Sequence, residues 1–232
     1  MKTTQRLALL LALVSATAHA QITNGTFATD LTDWSSSGDV AVRDSAAYLT
    51  TASLAGDDDG LGEGFFNFSG SETVSSGDIE SLLSFPEGAL DPDTDNGVFA
   101  FEGSVLYRNI AVQAGDVLSF DFTFLTNDAS NDFAFVLFDA NTYILTDGLT
   151  RSATTDYGYS LSTGAQTFTS APATETRTIS FAVGVIDTSD FNTSSALSID
   201  NVTLTAIPEP SSFAALAGLA GLALAATRRR RA

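Results

Sequence analysis

Residues 117–124 read Val-Leu-Ser-Phe-Asp-Phe-Thr-Phe, an alternation that admits little but a half-buried β-strand. Leu118, Phe120, Phe122 and Phe124 fall on one side; Ser119, Asp121 and Thr123 fall on the other. Successive side chains of a strand point to opposite faces, so one face is covered and one is wet. The segment 178–186 repeats the pattern, with Ile179, Phe181, Val183 and Val185 inward. Residues 132–139 are apolar on both faces, which calls for a covered, mid-sheet strand. Further strands are expected near 22–27, 39–43, 46–51, 64–68, 97–102, 104–113, 142–146 and 196–205. About ten or eleven short strands without helical crossovers predict an all-β, jelly-roll-like two-sheet sandwich. One segment departs from this. Ile79, Leu82 and Leu83 have helical spacing behind Ser75-Ser76-Gly77, which predicts one short helix over about 77–84, limited by Pro86. The intervening loops 56–63, 86–97 and 187–195 are acidic or rich in Gly, Ser and Thr.

Both ends of the sequence differ from this middle. Lys2 and Arg6 precede an apolar run over 7–14 and then Ala18-His19-Ala20, the layout of a secretory signal peptide cut before Gln21. At the other end Pro208-Glu209-Pro210 breaks any incoming strand, 213–226 is apolar, and Arg228, Arg229, Arg230 and Arg231 follow. The apolar stretch falls short of the roughly 20 residues a comfortable span needs, and the arginines favour the cytoplasmic side. These three parts in order resemble the PEP-CTERM sorting tail (also called the ice-binding protein C-terminal domain, a name that implies nothing about ice). The resemblance implies recognition by an exosortase-type enzyme, removal of the tail, and delivery to the cell envelope or extracellular matrix. The expected organisation is a signal peptide at 1–20, an extracellular β-sandwich at 21–206 and a sorting tail with a short apolar helix at 207–232, the only membrane contact.

Of 28 acidic residues only Glu209 lies outside 21–206, whereas the basic residues inside are Arg43, Arg108, Arg151 and Arg177. That leaves 27 negative against four positive groups, a formal charge of −23. Such a domain repels nucleic acid and anionic membrane and suits cations, calcium above all. The sequence has no cysteine; its single histidine is His19, and Lys2 is its single lysine. Ser-His-Asp and Cys-His catalysis, histidine zinc sites and Schiff-base lysines are therefore excluded from 21–206. A two-carboxylate glycosidase is the enzyme chemistry that survives, and a non-catalytic protein is the expectation.

Three groups of residues are candidate sites. Asp91, Asp93 and Asp95 alternate in a turn with Glu102 at the twelfth position, as in a calcium loop, although Asn96 replaces the usual Gly. Structural calcium is also expected where the chain ends meet. The inward phase of the last strand slips between Ile199 and Val202, and a bulge at Asp200-Asn201 is the economical repair. Asp200 would be the ligand there, with Asn24, Thr26 or Asp30 completing the shell. Trp34, Tyr157 and Tyr159 are candidates for stacking on a sugar ring, although each is more often a packing residue. The N-x-S/T matches, as at Asn67, predict no glycosylation.

Asn24-Gly25-Thr26-Phe27 followed by Leu31-Thr32-Asp33-Trp34 resembles the opening of carbohydrate-binding-module-like, galactose-binding-like sandwiches, and 197–204 resembles their closing strand. Ala28 stands where such proteins often carry an acid. The stretch from Glu102 to Phe135 is similar to other PEP-CTERM proteins. The resemblance implies an address and a fold; the expected function is a non-catalytic exported protein that binds matrix polysaccharide, or a structural or adhesion component without a small ligand.

Overall fold

The computed structural model describes residues 22–54, 66–128, 132–189, 191, 193–206 and 218–219. The signal-peptide and sorting-tail readings, with Pro208, Glu209, Pro210 and the terminal arginines, lie outside the described residues, as do the acidic loop at 56–63 and the start of the strand expected at 64–68. In chain order the elements are β1 (Ala28–Leu31), β2 (Ser35–Ser37), β3 (Asp39–Arg43), β4 (Ala46–Thr50), β5 (Val74–Ser75), α1 (Ser76–Leu83), β6 (Ala100–Val112), β7 (Asp116–Thr126), β8 (Phe133–Phe138), β9 (Asn141–Ile144), β10 (Ser152–Ala153), β11 (Leu161–Ser162), β12 (Gln166–Thr169), β13 (Arg177–Thr188) and β14 (Ser195–Ala206).

The strands form two antiparallel sheets facing each other. One runs β10-β11-β7-β14-β4-β3, with β12 also on β7; the other runs β2-β6-β13-β8-β9, with β5 on β6. The long strands switch sheets from one to the next, as the jelly-roll reading requires. The core between the sheets takes Leu118, Phe120, Phe122 and Phe124 from β7, Ile179, Phe181, Val183 and Val185 from β13, and Leu197 and Ile199 from β14. These are the inward phases read from the sequence. Ser104 Oγ clasps the sheets together: it donates to the Thr50 carbonyl at 2.6 Å and accepts from Asp39 N–H at 2.8 Å.

β8 is buried along its whole length because it is covered twice. Ala134, Val136 and Phe138 face the inter-sheet core. Phe133, Phe135 and Leu137 face outward, where Ile79 and Leu83 of α1 and Leu90 of the following loop lie over them. Ser75 caps α1 by accepting from Asp78 N–H. Glu80, though buried, accepts from Gly88 N–H at 3.0 Å and Leu90 N–H at 2.8 Å, which ties the loop to the helix.

The strand expected at 22–27 is instead a turn over 23–26. Asn24 and Phe27 adopt left-handed backbone angles, and the Asn24 side chain holds the turn closed, donating to the Asp30 and Thr32 carbonyls and accepting from Thr29 N–H. The strands expected at 97–102 and 104–113 are one strand, β6, that runs through Gly103. No strand covers 66–68, which Asp39 holds as a bend. The bulge expected at Asp200-Asn201 is present: the β14–β7 register shifts between Asp200 and Thr203, with Asn201 left-handed.

Candidate functional site

The outward face of the seven-stranded sheet brings polar and aromatic side chains from several strands together. Tyr48 of β4, Ser198 of β14 and Thr123 of β7 stand opposite one another across three strands, so their side chains share that face. One row along, Asp200, Asp121 and Thr167 do the same across β14, β7 and β12. Asn201, displaced outward by the bulge, donates from Nδ2 to Asp121 Oδ2 at 2.9 Å, and Thr167 Oγ1 donates to Asp121 Oδ1 at 2.7 Å. These two bonds, the Asn201 amide first, hold the Asp121 carboxyl below its ordinary pKa.

An aromatic cluster bounds this polar strip. The rings of Tyr48, Phe68 and Tyr157 lie 5.0–5.8 Å apart, all half-buried. Each member is placed by a separate device. Tyr48 takes the outward phase of β4. Phe68 is fixed by the fully buried Asp39 carboxylate, which accepts from Phe68 N–H at 2.8 Å and Ser69 N–H at 2.6 Å. Tyr157 sits at φ 51°, uncommon for a bulky residue, and its hydroxyl donates to Asp44 Oδ2 at 2.6 Å. Asp44 and Ser45, both left-handed, make the two-residue turn joining β3 to β4. That bond to Asp44 is the main reason the Tyr157 phenol is pushed far above its usual pKa. Arg43 lies 4.1 Å over the Phe68 ring centre.

The other residues singled out in the sequence lie elsewhere. Trp34 is buried: its ring contacts Phe27 and Phe181, and its Nε1 donates to the Asn24 carbonyl at 3.1 Å. Tyr159 is 1% exposed and packs beneath the cluster, 4.8 Å from the Phe66 ring. Neither presents a ring to solvent. The turn at 23–26 and the last strand do meet: Val202 N–H donates to the Gly25 carbonyl at 2.8 Å beside the bulge. Asp200 Oδ1 there accepts from Asn201 N–H at 2.6 Å, while Thr26 and Asp30 stay exposed. In the 91–102 loop Asp91 accepts from Ala100 N–H, Asp93 from the Asn96 backbone and side chain, and Glu102 from the Thr73 hydroxyl; Asp95 is exposed. Among the described residues no three acidic, His or Cys side chains converge as a metal site would require, and no helix is long and apolar enough to cross a membrane.

A recess of about 560 Å³ lies between the end of α1 and the outward face of the six-stranded sheet, lined by Leu83, Phe85, Leu137, Thr178 and Ser180. Arg177 stands at its rim, bound to Asp139 at 2.7 Å.

No family model matches this chain, and no curated protein does. Among solved structures it is similar to TmCBM61 in complex with β-1,4-galactotriose, at 12% identity and a TM-score of 0.37, over 82% of this chain and 100% of that one. A TM-score of that size carries no weight for the ligand of this chain.

Sequence reasoning missed Tyr48, Phe68 and Asp44. Tyr48 had a signal: it is the aromatic at the outward phase of a strand whose inward phase is Ala47 and Leu49. Phe68 had none, because its position depends on a carboxylate 29 residues away.

Proposed function

We propose that this chain is an exported, non-catalytic protein of the cell envelope or extracellular matrix that binds polysaccharide on the outward face of its seven-stranded sheet. The observation that carries the reading is the half-exposed Tyr48–Phe68–Tyr157 cluster beside a strip of hydroxyl, amide and carboxylate groups. Aromatic rings offer apolar faces to sugar C–H groups, and the strip offers partners for their hydroxyls. Removing the ring of Tyr48 or Tyr157 should release the protein from an affinity gel that retards the wild type. Unchanged mobility of both alanine variants would remove the cluster from the site.

Export rests on the two sequence ends, and the proposed processing partner is an exosortase-type enzyme acting on 207–232. Mass spectrometry of protein recovered from the cell surface should show a start at Gln21 and no residues through Arg231. A surface form that keeps its last arginines would defeat the sorting proposal.

One observation favours a structural or adhesion role without a small ligand: the three rings also pack against each other. A hydrolase is disfavoured by chemistry. Asp121 and Asp200 are opposite one another on an open face, and hydrogen bonds hold Asp121 ionised, whereas a glycosidase acid needs its proton retained.

A further inference from the structure

Granted the glycan-binding reading, we infer that the site selects single, solvated, uncharged glycan chains and rejects both flat crystalline polysaccharide and uronic-acid polymers. Three features of the face lead there.

The rings cannot form a platform. Tyr48 and Phe68 are inclined at 70°, Tyr48 and Tyr157 at 65°, and Phe68 and Tyr157 at 56°. A flat polymer surface needs several ring faces in one plane, and here no two are parallel. Arg43 also lies over Phe68, so that ring supports its neighbours more than it contacts a ligand. One sugar can rest on one tyrosine face; an extended crystal plane cannot rest on the set.

The polar strip runs across the sheet. It crosses β12, β7, β14 and β4, about 14 Å at the usual strand spacing, which is a length for a short run of sugars. Thr167, Thr123 and Ser198 supply hydroxyls, Asn201 an amide, and Asp121 and Asp200 carboxylate oxygens along it. These groups are matched to ring hydroxyls approached edge-on, the geometry of a chain wrapped by water on its other sides.

The charged groups of the strip itself are all acidic. Asp44, Asp121 and Asp200 stand on or beside the strip, and Arg43, the basic residue at the cluster, faces Phe68. A carboxylate accepts strongly from a neutral sugar hydroxyl but repels the carboxylate of a uronic acid, and the surrounding domain, at −23, adds to that repulsion.

The test is affinity electrophoresis of the full-length chain through gels containing soluble galactan, glucomannan or xyloglucan, and through gels containing polygalacturonate or alginate. Sedimentation with microcrystalline cellulose completes the set. Retardation by at least one neutral polymer is expected, with no retardation by the uronates and no protein in the cellulose pellet. Ser198→Ala and Thr123→Ala, which leave the core untouched, should each weaken retention on the neutral polymer about threefold to tenfold. Asp121→Asn with Asp200→Asn should raise retention on uronate. Uronate or crystalline binding as strong as the neutral binding would overturn this inference and leave the glycan-binding reading standing. Failure to bind any polymer would overturn both. Neutral binding unaffected by the Ser198 and Thr123 changes would move the site off this face and overturn the inference.

Discussion

Gly25 stands where the turn at 23–26 meets the bulge of β14. A Cβ there would lie 2.1 Å from the Val202 carbonyl oxygen, which is itself fixed in strand β14. Neither backbone can retreat cheaply, because the same contact carries the Val202-to-Gly25 hydrogen bond. Gly25→Ala should therefore cost about 1–3 kcal/mol in urea unfolding through overpacking, and an unchanged midpoint would show the ends to be loosely joined. Asp139 makes a prediction about acid. It accepts from Thr174 N–H, the main reason its pKa is lowered, and from Arg177; burial works against both. A lowered folded pKa gives stability that is complete above the ordinary carboxylate value of about 3.9 and lost as pH falls through the folded value. Asp139→Asn should melt below the wild type at pH 7, and the two melting curves should converge as pH falls toward 2. A gap that stayed constant with pH would assign the loss to packing. Residues such as Asp139 and Phe68 were illegible in the sequence because their partners are dozens of positions away, whereas the inward phases of β7 and β13 were plain from neighbours alone.

At the scale of elements, α1 explains why β8 is apolar on both faces. The helix is short, and a helix of eight residues has little stability of its own. Its stability comes from Ile79, fully buried against the outward face of the sheet, and from the Ser75 cap. Ile79→Ala should cost about 2–5 kcal/mol, and Ser75→Ala about 1 kcal/mol. The pair of values, read from denaturant curves, separates packing from capping; equal losses would mean that the helix is held by its cap. The helix, the bulge and most strands were legible because each follows from local periodicity. Two failures have one cause, which is that glycine and asparagine have more than one use. Gly103 reads as a break between strands, yet it lies inside β6, where it is glycine because a Cβ would come within 2.1 Å of the Val185 carbonyl. Asn24 reads as part of a strand, yet its side chain satisfies three backbone groups of a turn.

For the whole molecule the decisive property is charge. Residues 21–206 carry −23 with four arginines, and the described carboxylates are mostly engaged with backbone N–H and hydroxyl donors, the Arg177–Asp139 pair being an exception. Hydrogen bonds of that kind hold individual groups but do not cancel the long-range repulsion among them, which opposes the compact state. Screening should therefore stabilise the fold. Between about 0.01 M and 0.15 M salt the Debye length falls from about 30 Å to about 8 Å, comparable with the spacing between the sheets, so the melting temperature should rise over that interval and then level off. Sodium chloride and calcium chloride compared at equal ionic strength divide this general effect from any calcium bound at the Asp200 junction, as the sequence reading expects. Screening acts alike in both salts. A bound ion adds stability that grows with the logarithm of its concentration above its dissociation constant. A melting temperature that did not rise with sodium chloride would mean that the acidic surface is already compensated. An excess shift in calcium, abolished by Asp200→Ala, would place the ion where the turn at 23–26 meets β14; an excess surviving that change would place it elsewhere on the acidic surface.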